Sequence, residues 1–371
     1  MEPLEITDED YIKWPNGGGW VHKTATVHKR AFISKYSTVE EKAIVGRKVF
    51  INSYSTIYPN YIVADNTIIG SFTEIGQGTI LGRNNNIGSY VDIGASSRTE
   101  FGVQIGESSH IGSGAYLYKG TILGCRVEVK DHVKLWSYIT VGDGCYIGSK
   151  TEIGSSTTVG EGVYIADSCD CGYVLIHSYT RIGKETQLGL KTCPVKTSNE
   201  LKQDTETTPA KDKHNPTKHT KLVIGAHNWI GDYCIIKELS LFSASVWVGD
   251  RTEIGSGAKI QHGCRISDRV WIDEQCFLGK FTNIGEHSEL WGYNEIGDYT
   301  TLEGHVVFNV LAGAASYVKI NAGAKLEKEV YVGSYAEIKD NSYLPAGMII
   351  PQHYTVKAVA GELIKPTDDE R

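Results

Sequence analysis

Methionine and proline are scarce in this chain, at 2 and 9 of 371 residues, and no apolar run reaches the ~18 residues that a membrane-spanning helix needs. With 21 Tyr and 7 Trp beside so little Met, the composition points to β-structure rather than packed helices. A basic excess is missing too. Lys and Arg number 37 against 44 Asp and Glu, a net charge of −7, so there is no general surface for neutralising phosphates and nucleic acid is excluded as a partner. The stretch from Met1 to Asp10 is acidic and leads into no apolar segment, so neither a secretory signal nor a membrane contact is expected, and the expected location is cytoplasmic. The eight Cys show no repeated Cys-x-x-Cys spacing, which favours free thiols over a disulfide framework.

What is abundant is glycine, at 41 residues or about 11% against a usual ~7%. Length alone would suggest two or three average domains. A search for internal repeats gives a different answer. Stepping by six from Val21 meets an aliphatic residue through Val27, Ile33, Val39 and onward to Ile165, with one lapse at Thr99. The pattern returns in a new phase at Ile176, Ile182 and Leu188, then runs from Ile224 to Val356, for fifty-one steps in all. The residue after the aliphatic is often Gly (Gly70, Gly76, Gly82, Gly88), and the residue two before it is small (Ala31, Ser37, Thr67, Thr73). Residues two apart share one side of a strand, and the Gly is expected to allow a sharp corner, so each hexad reads as a short strand plus a corner.

In this pattern the chain resembles the hexapeptide-repeat left-handed parallel β-helix family over residues 20 to 357. The resemblance implies three hexads per triangular coil, hence an all-β fold with a single long left-handed β-helix of about 17 coils, a prism roughly 80 Å long at ~4.8 Å per coil. The expected division is an N-terminal cap at 1–20, β-helix at 21–188, an extruded polar loop at 189–223, β-helix at 224–357 and a C-terminal tail at 358–371. Cys145, Cys234, Cys264 and Cys276 each stand two before an inward aliphatic, where buried, inert thiols are expected.

Function in a solenoid belongs where the repeat is violated, because regular coils already satisfy folding. At Thr99 a local bulge is expected. From Asp167 to His177, Cys169-x-Cys171 and His177 are soft-ligand types without a fourth member, so a register dislocation is expected and no metal. The third violation is far larger: 36 residues separate Leu188 from Ile224 where 6 would suffice, and the excess is polar and rich in Lys and Thr. Loops this long in compact folds are functional or disordered.

After it, Leu222-Val223-Ile224-Gly225-Ala226-His227-Asn228-Trp229-Ile230-Gly231 resembles the stretch that follows the extruded loop of hexapeptide acyltransferases acting on sugars, amino sugars and antibiotics, and the ending Val359 to Pro366 is faintly similar to theirs. That resemblance implies a homotrimer holding acetyl-CoA or another acyl-CoA between two prisms, and a small-molecule acceptor deprotonated by a loop His. Those enzymes often carry a His-Pro pair, and this chain has none. His214, in His214-Asn215-Pro216, is the first candidate base, then His219 and His227. Trp229 and Trp247 are candidates for trimer packing or for a platform that holds acceptor or pantetheine. His287 and His305, 18 apart, should stack at one corner; resemblance to γ-class carbonic anhydrases would require a third His.

Residues just before the inward aliphatics point outward, giving apolar ladders of Phe32, Phe50 and Ile68 on one face, Ile44, Ile62 and Ile80 on a second, and Trp229 and Trp247 on a third. Such ladders mark a covered interface. Thr7 to Trp14 is expected to form a short capping helix over the first coil. Trp14-Pro15-Asn16-Gly17-Gly18-Gly19-Trp20-Val21 resembles the start of phage-encoded hexapeptide-repeat proteins. Two functions from different classes follow: an acyl-CoA-dependent O- or N-acyltransferase, or a non-catalytic β-helical structural or ligand-sequestering protein of the phage-encoded kind.

Overall fold

A computed structural model describes residues 9–166, 173–176, 180–183, 185–190, 220–237, 239–357 and 362–364. Strand follows strand around a three-sided prism, and each strand pairs in parallel with the equivalent strand one coil on: Val21 with Val39, Val27's neighbour Thr26 with Ile44, Ile33 with Ile51. We call the faces that begin with Val21, Val27 and Ile33 faces I, II and III. The three sheets hold 18, 17 and 18 strands, of which the first and the last each contain one antiparallel end strand, so every face has seventeen parallel rungs and the chain makes sixteen full turns between first and last. This is the expected all-β helix, with no helix among the described residues long and apolar enough to cross a membrane.

The core is the stack of inward residues from Ile33 to Val356, all buried; Val27, beside the open first coil, is half-buried. Burying each such side chain contributes about 1.5–3 kcal/mol. Coil-to-coil hydrogen bonds supply the rest of the order, for example Phe50 N–H to the Thr67 carbonyl at 2.9 Å. Small inward residues add a second, internal ladder: the hydroxyls of Thr67 and Thr79 donate to the carbonyls of Gly82 and Gly94 at 2.9 Å. The Cys145, Cys234 and Cys264 thiols do the same at 2.9 to 3.0 Å.

Four expectations are corrected. The Gly after an inward aliphatic does not make the corner turn. The positive φ falls three residues after the aliphatic, at Tyr36 (68°), Tyr54 (62°) and many other non-Gly residues. Gly70 is required instead by close approach, since a Cβ there would lie 2.4 Å from the Gly88 backbone of the next coil. Thr99 makes no bulge. It stays in register between Leu81 and Leu117, and inside the prism it accepts a hydrogen bond from Asn85, whose own amide oxygen accepts the Val103 N–H at 2.9 Å. A paired Asn and Thr satisfy each other where one alone would be costly.

Third, the first coil is capped by a strand and not a helix: Tyr11–Lys13 runs antiparallel to Trp20–His22 and covers the open edge. Tyr11 donates its hydroxyl to Glu40, and Trp14 Nε1 donates to the Ala31 carbonyl at 2.9 Å. At the other end Glu362–Ile364 pairs antiparallel with Thr355–Lys357. Fourth, Trp229 and Trp247 lie on face III, in the same column as Phe32, Phe50 and Ile68, rather than on a third face of their own.

The two insertions give the reason. Ile153, Val159 and Ile165 pair with Ile176, Ile182 and Leu188, a step of 23 in place of 18, and these pair in turn with Ile224, Ile230 and Ile236, a step of 48. The expected dislocation is there: the inward aliphatics stay paired, while the register shifts between Tyr173 and Val174 and again between Leu188 and Leu190. Five surplus residues enter between Ile165 and Ile176 and thirty between Leu188 and Ile224, both at the corner that joins face I to face II, on successive coils. Their described rims extend beyond the usual two-residue strand: Tyr173–Ile176 pairs with Thr220–Ile224, with one irregularity at Tyr173.

Candidate functional site

The long insertion returns to the prism at Thr220–Ile224 on face II. The next corner carries His227 and the next face Trp229, so the first features after the insertion are an imidazole and an indole only two residues apart. His227 is held at φ 58° and is exposed. Its corner is fixed from the coil below: Ser245 N–H donates to the Ala226 carbonyl at 3.0 Å, and Val246 N–H donates to Oδ1 of the buried Asn228 at 2.8 Å. Trp229 and Trp247 pair in register with ring centroids 4.8 Å apart and planes at 25°, a stacked pair.

The column on face III reads Arg181, Trp229, Trp247, Arg265, so a guanidinium stands one rung above and one rung below the indoles. Both arginines are exposed. Beside Arg265 a depression of about 440 Å3 opens at the corner between faces II and III, lined by Ser245, His262, Gly263, Phe281 and Asn283. His262 meets the Phe281 ring edge-on at 5.4 Å. The arrangement joins an aromatic wall, two exposed cations and two imidazoles, groups suited to an anionic ligand with a flat or apolar portion and to a proton transfer beside it.

Of the candidate residues, the fold brings His227, Trp229 and Trp247 together, whereas His214 and His219 lie outside the described residues, as do Cys169, Cys171 and His177. His287 and His305 stack as expected, 4.9 Å apart and 2° from parallel, with Arg269 Nη1 3.3 Å from His287 Nε2. They sit at the corner between faces III and I, across face III from His227. Among the described residues no three His, Cys, Asp or Glu are placed to share a metal ion. Burial pushes the thiols of Cys145, Cys234, Cys264 and Cys276 up to about 11, which removes them as nucleophiles near neutral pH.

Three members of this cluster escaped the reading of the sequence: Arg181, Arg265 and His262. Arg265 was within reach, being 18 residues after Trp247. Arg181 was hidden by the 48-residue step between its rung and that of Trp229.

A family description, hexapeptide repeat of succinyl-transferase, matches residues 85–119 and 138–166. The bifunctional protein GlmU of Acinetobacter baumannii is 29% identical over 98 residues, which is 25% of this chain and 21% of that protein. The chain thus matches only about a fifth of this relative's length. Among solved structures, the acetyltransferase domain of PglB from Neisseria gonorrhoeae, in complex with acetyl coenzyme A, is 24% identical over 35% of this chain and 56% of that one, with a TM-score of 0.25. Arabidopsis UDP-N-acetylglucosamine acyltransferase is 18% identical over 93% and 73%, with a TM-score of 0.21. The unbroken repeat and the three-sided parallel solenoid define the class, a β-helix built from hexapeptide repeats, and the two matched segments lie within that repeat.

Proposed function

We propose that the chain is an acyltransferase that moves an acetyl or other acyl group from CoA to a hydroxyl or amine of a sugar-like small molecule, working as a homotrimer in the cytoplasm. The observation that carries this reading is the placement of His227, the Trp229–Trp247 stack and Arg265 one corner and one face beyond the return of the thirty-residue insertion. In the reaction a His accepts the proton of the acceptor's O–H or N–H as that atom attacks the thioester carbonyl. The C–S bond then breaks, and the CoA sulfur leaves and is protonated. His227 is the candidate base among the described residues, with His214 and His219 the candidates from the insertion.

The column on face III supports the trimer. Phe32, Phe50 and Ile68 stand in the same column as the indoles, and Ile44, Ile62 and Ile80 flank the same corner on face II. Phe50, Ile68 and Ile44 are 48%, 44% and 46% exposed in the single chain, a contiguous apolar edge that subunit contacts would cover. If neighbours pack there, Trp229 and Trp247 face the same inter-subunit groove farther along the prism, which is where a cosubstrate and the two arginines would meet. GlmU, PglB and the Arabidopsis acyltransferase are consistent company for this activity.

The test is release of free thiol from acetyl-CoA in the presence of a panel of sugars and amines. Acceptor-dependent release is expected, and its failure across acyl donors favours the second reading. That reading, a non-catalytic ligand-sequestering or structural prism, draws on one specific observation: the insertion has no His-Pro pair.

A further inference from the structure

A larger depression lies on a different edge of the prism, at the corner between faces I and II where both insertions leave. It measures about 580 Å3 and begins at Leu239, the corner residue of the first coil after the long insertion. Its origin is a missing side chain. The corner column reads Leu239, Gly257, Gln275, Tyr293, and at Gly257 (φ 73°) an added Cβ would touch only the Gln275 side chain, at 3.4 Å. Between two large apolar residues, 54% and 47% exposed, the column is therefore indented by one side chain.

The charges beside that indentation are ordered. On face II the outward column runs Lys259, Phe277, Glu295, each paired in register with the next, and all three line the depression. A cation and a carboxylate thus stand on either side of an aromatic ring, two rungs or roughly 10 Å apart along the backbone. Glu274 adds a second carboxylate at the rim. None of these three charged groups takes part in an ion pair with a described residue, although exposed ion pairs form elsewhere on the prism, such as Lys328 with Glu329 at 3.2 Å and Lys319 with Glu303 at 3.4 Å. Unpaired opposite charges held apart by an aromatic floor suit a ligand with the reverse order of charges on an apolar or cyclic body.

We propose that this depression binds a compact zwitterion, with its acidic end at Lys259, its amine at Glu295 and Glu274, and its body over Phe277 between Leu239 and Tyr293. The site is separate from the Trp229–Trp247 cluster, so it stands whether or not the chain transfers acyl groups. Rung pairing supplies the charge spacing and Gly257 the space.

A suitable probe is 6-aminohexanoate, whose amine and carboxylate are roughly 8 Å apart when extended. Its binding to the full-length protein, followed by ligand-observed NMR, is to be compared with hexylamine and hexanoate, which each keep one charge. The zwitterion should bind about fivefold more tightly than either, the worth of one exposed charge pair. Lys259→Gln should erase its advantage over hexylamine, and Glu274→Gln combined with Glu295→Gln its advantage over hexanoate. Gly257→Asn, tolerable at positive φ because Asn adopts that region readily, should abolish binding while the far-ultraviolet circular dichroism and melting temperature stay unchanged. Equal affinity for the three probes, or zwitterion binding that survives Gly257→Asn, would overturn the assignment.

Discussion

Residues 21–165 and residues 224–357 have the same interior and different exteriors. Inside, both are stacks of aliphatic residues over small hydroxyl, thiol or methyl side chains, and neither departs from the three-sided rung pattern. Outside, the first segment presents Phe, Ile and a four-ring corner stack, Tyr36, Tyr54, Phe72 and Tyr90, with centroids 4.9 to 5.0 Å apart. The second presents the Trp229–Trp247–Arg265 run, both of the depressions described above and a five-ring corner stack of its own, Phe281, Tyr299, Tyr317, Tyr335 and His353. The two insertions fall between the segments. A repeat that fixes only the inward positions leaves the outward ones free to specialise, and in the proposed reading the first segment carries a covered edge and the second the ligand sites.

If the difference is confined to the exterior, the two interiors should respond alike. Leu135→Ala in the first segment and Ile254→Ala in the second should each cost about 2–5 kcal/mol in chemical denaturation, since both are fully buried. A cost in one segment much below the other would break the equivalence. The proposed activity should be sensitive to one imidazole only. Among His214→Ala, His219→Ala and His227→Ala, one should lower kcat by about 100-fold or more, whereas His287→Ala and His305→Ala, across face III, should leave it unchanged.

Assembly should depend on the other segment. Phe50→Ala with Ile62→Ala should lower the mass seen by light scattering from three chains towards one, and Trp229→Ala with Trp247→Ala should not. A wild-type monomer would contradict the trimer outright. The smallest effect concerns pH. Cys145, Cys234, Cys264 and Cys276 titrate at about 11 in the folded chain, against roughly 8.5 when exposed. Because the folded state holds the proton more tightly, their contribution to stability is complete below the exposed-thiol value and is lost as pH rises between it and 11. The melting temperature should fall over that interval, and fall less when all four are replaced by Ala.

The period of six made the architecture legible because each hexad repeats one physical demand, an inward aliphatic with a small partner two residues before it. It also located the inert cysteines and the His287–His305 stack. What it missed depended on distances across coils. The role of Gly70 is set by the Gly88 backbone, and the silence at Thr99 is explained by Asn85, fourteen residues earlier and facing it across the core. The N-terminal cap pairs as a strand because the first coil offers an open edge, which no local propensity around Tyr11 announces. The site was half legible: His227, Trp229 and Trp247 are close in sequence or 18 apart, whereas Arg181 is joined to them only across a thirty-residue insertion, and His262 by the curvature of one corner.

The account turns on whether the Trp229–Trp247 face holds the acyl donor. Calorimetric titration of acetyl-CoA into the full-length protein should show one site per chain, weakened about tenfold or more by replacing both tryptophans with Ala, as expected when a stacked aromatic wall is removed from a ligand. No binding of any acyl-CoA, or binding unaffected by the double replacement, would contradict it.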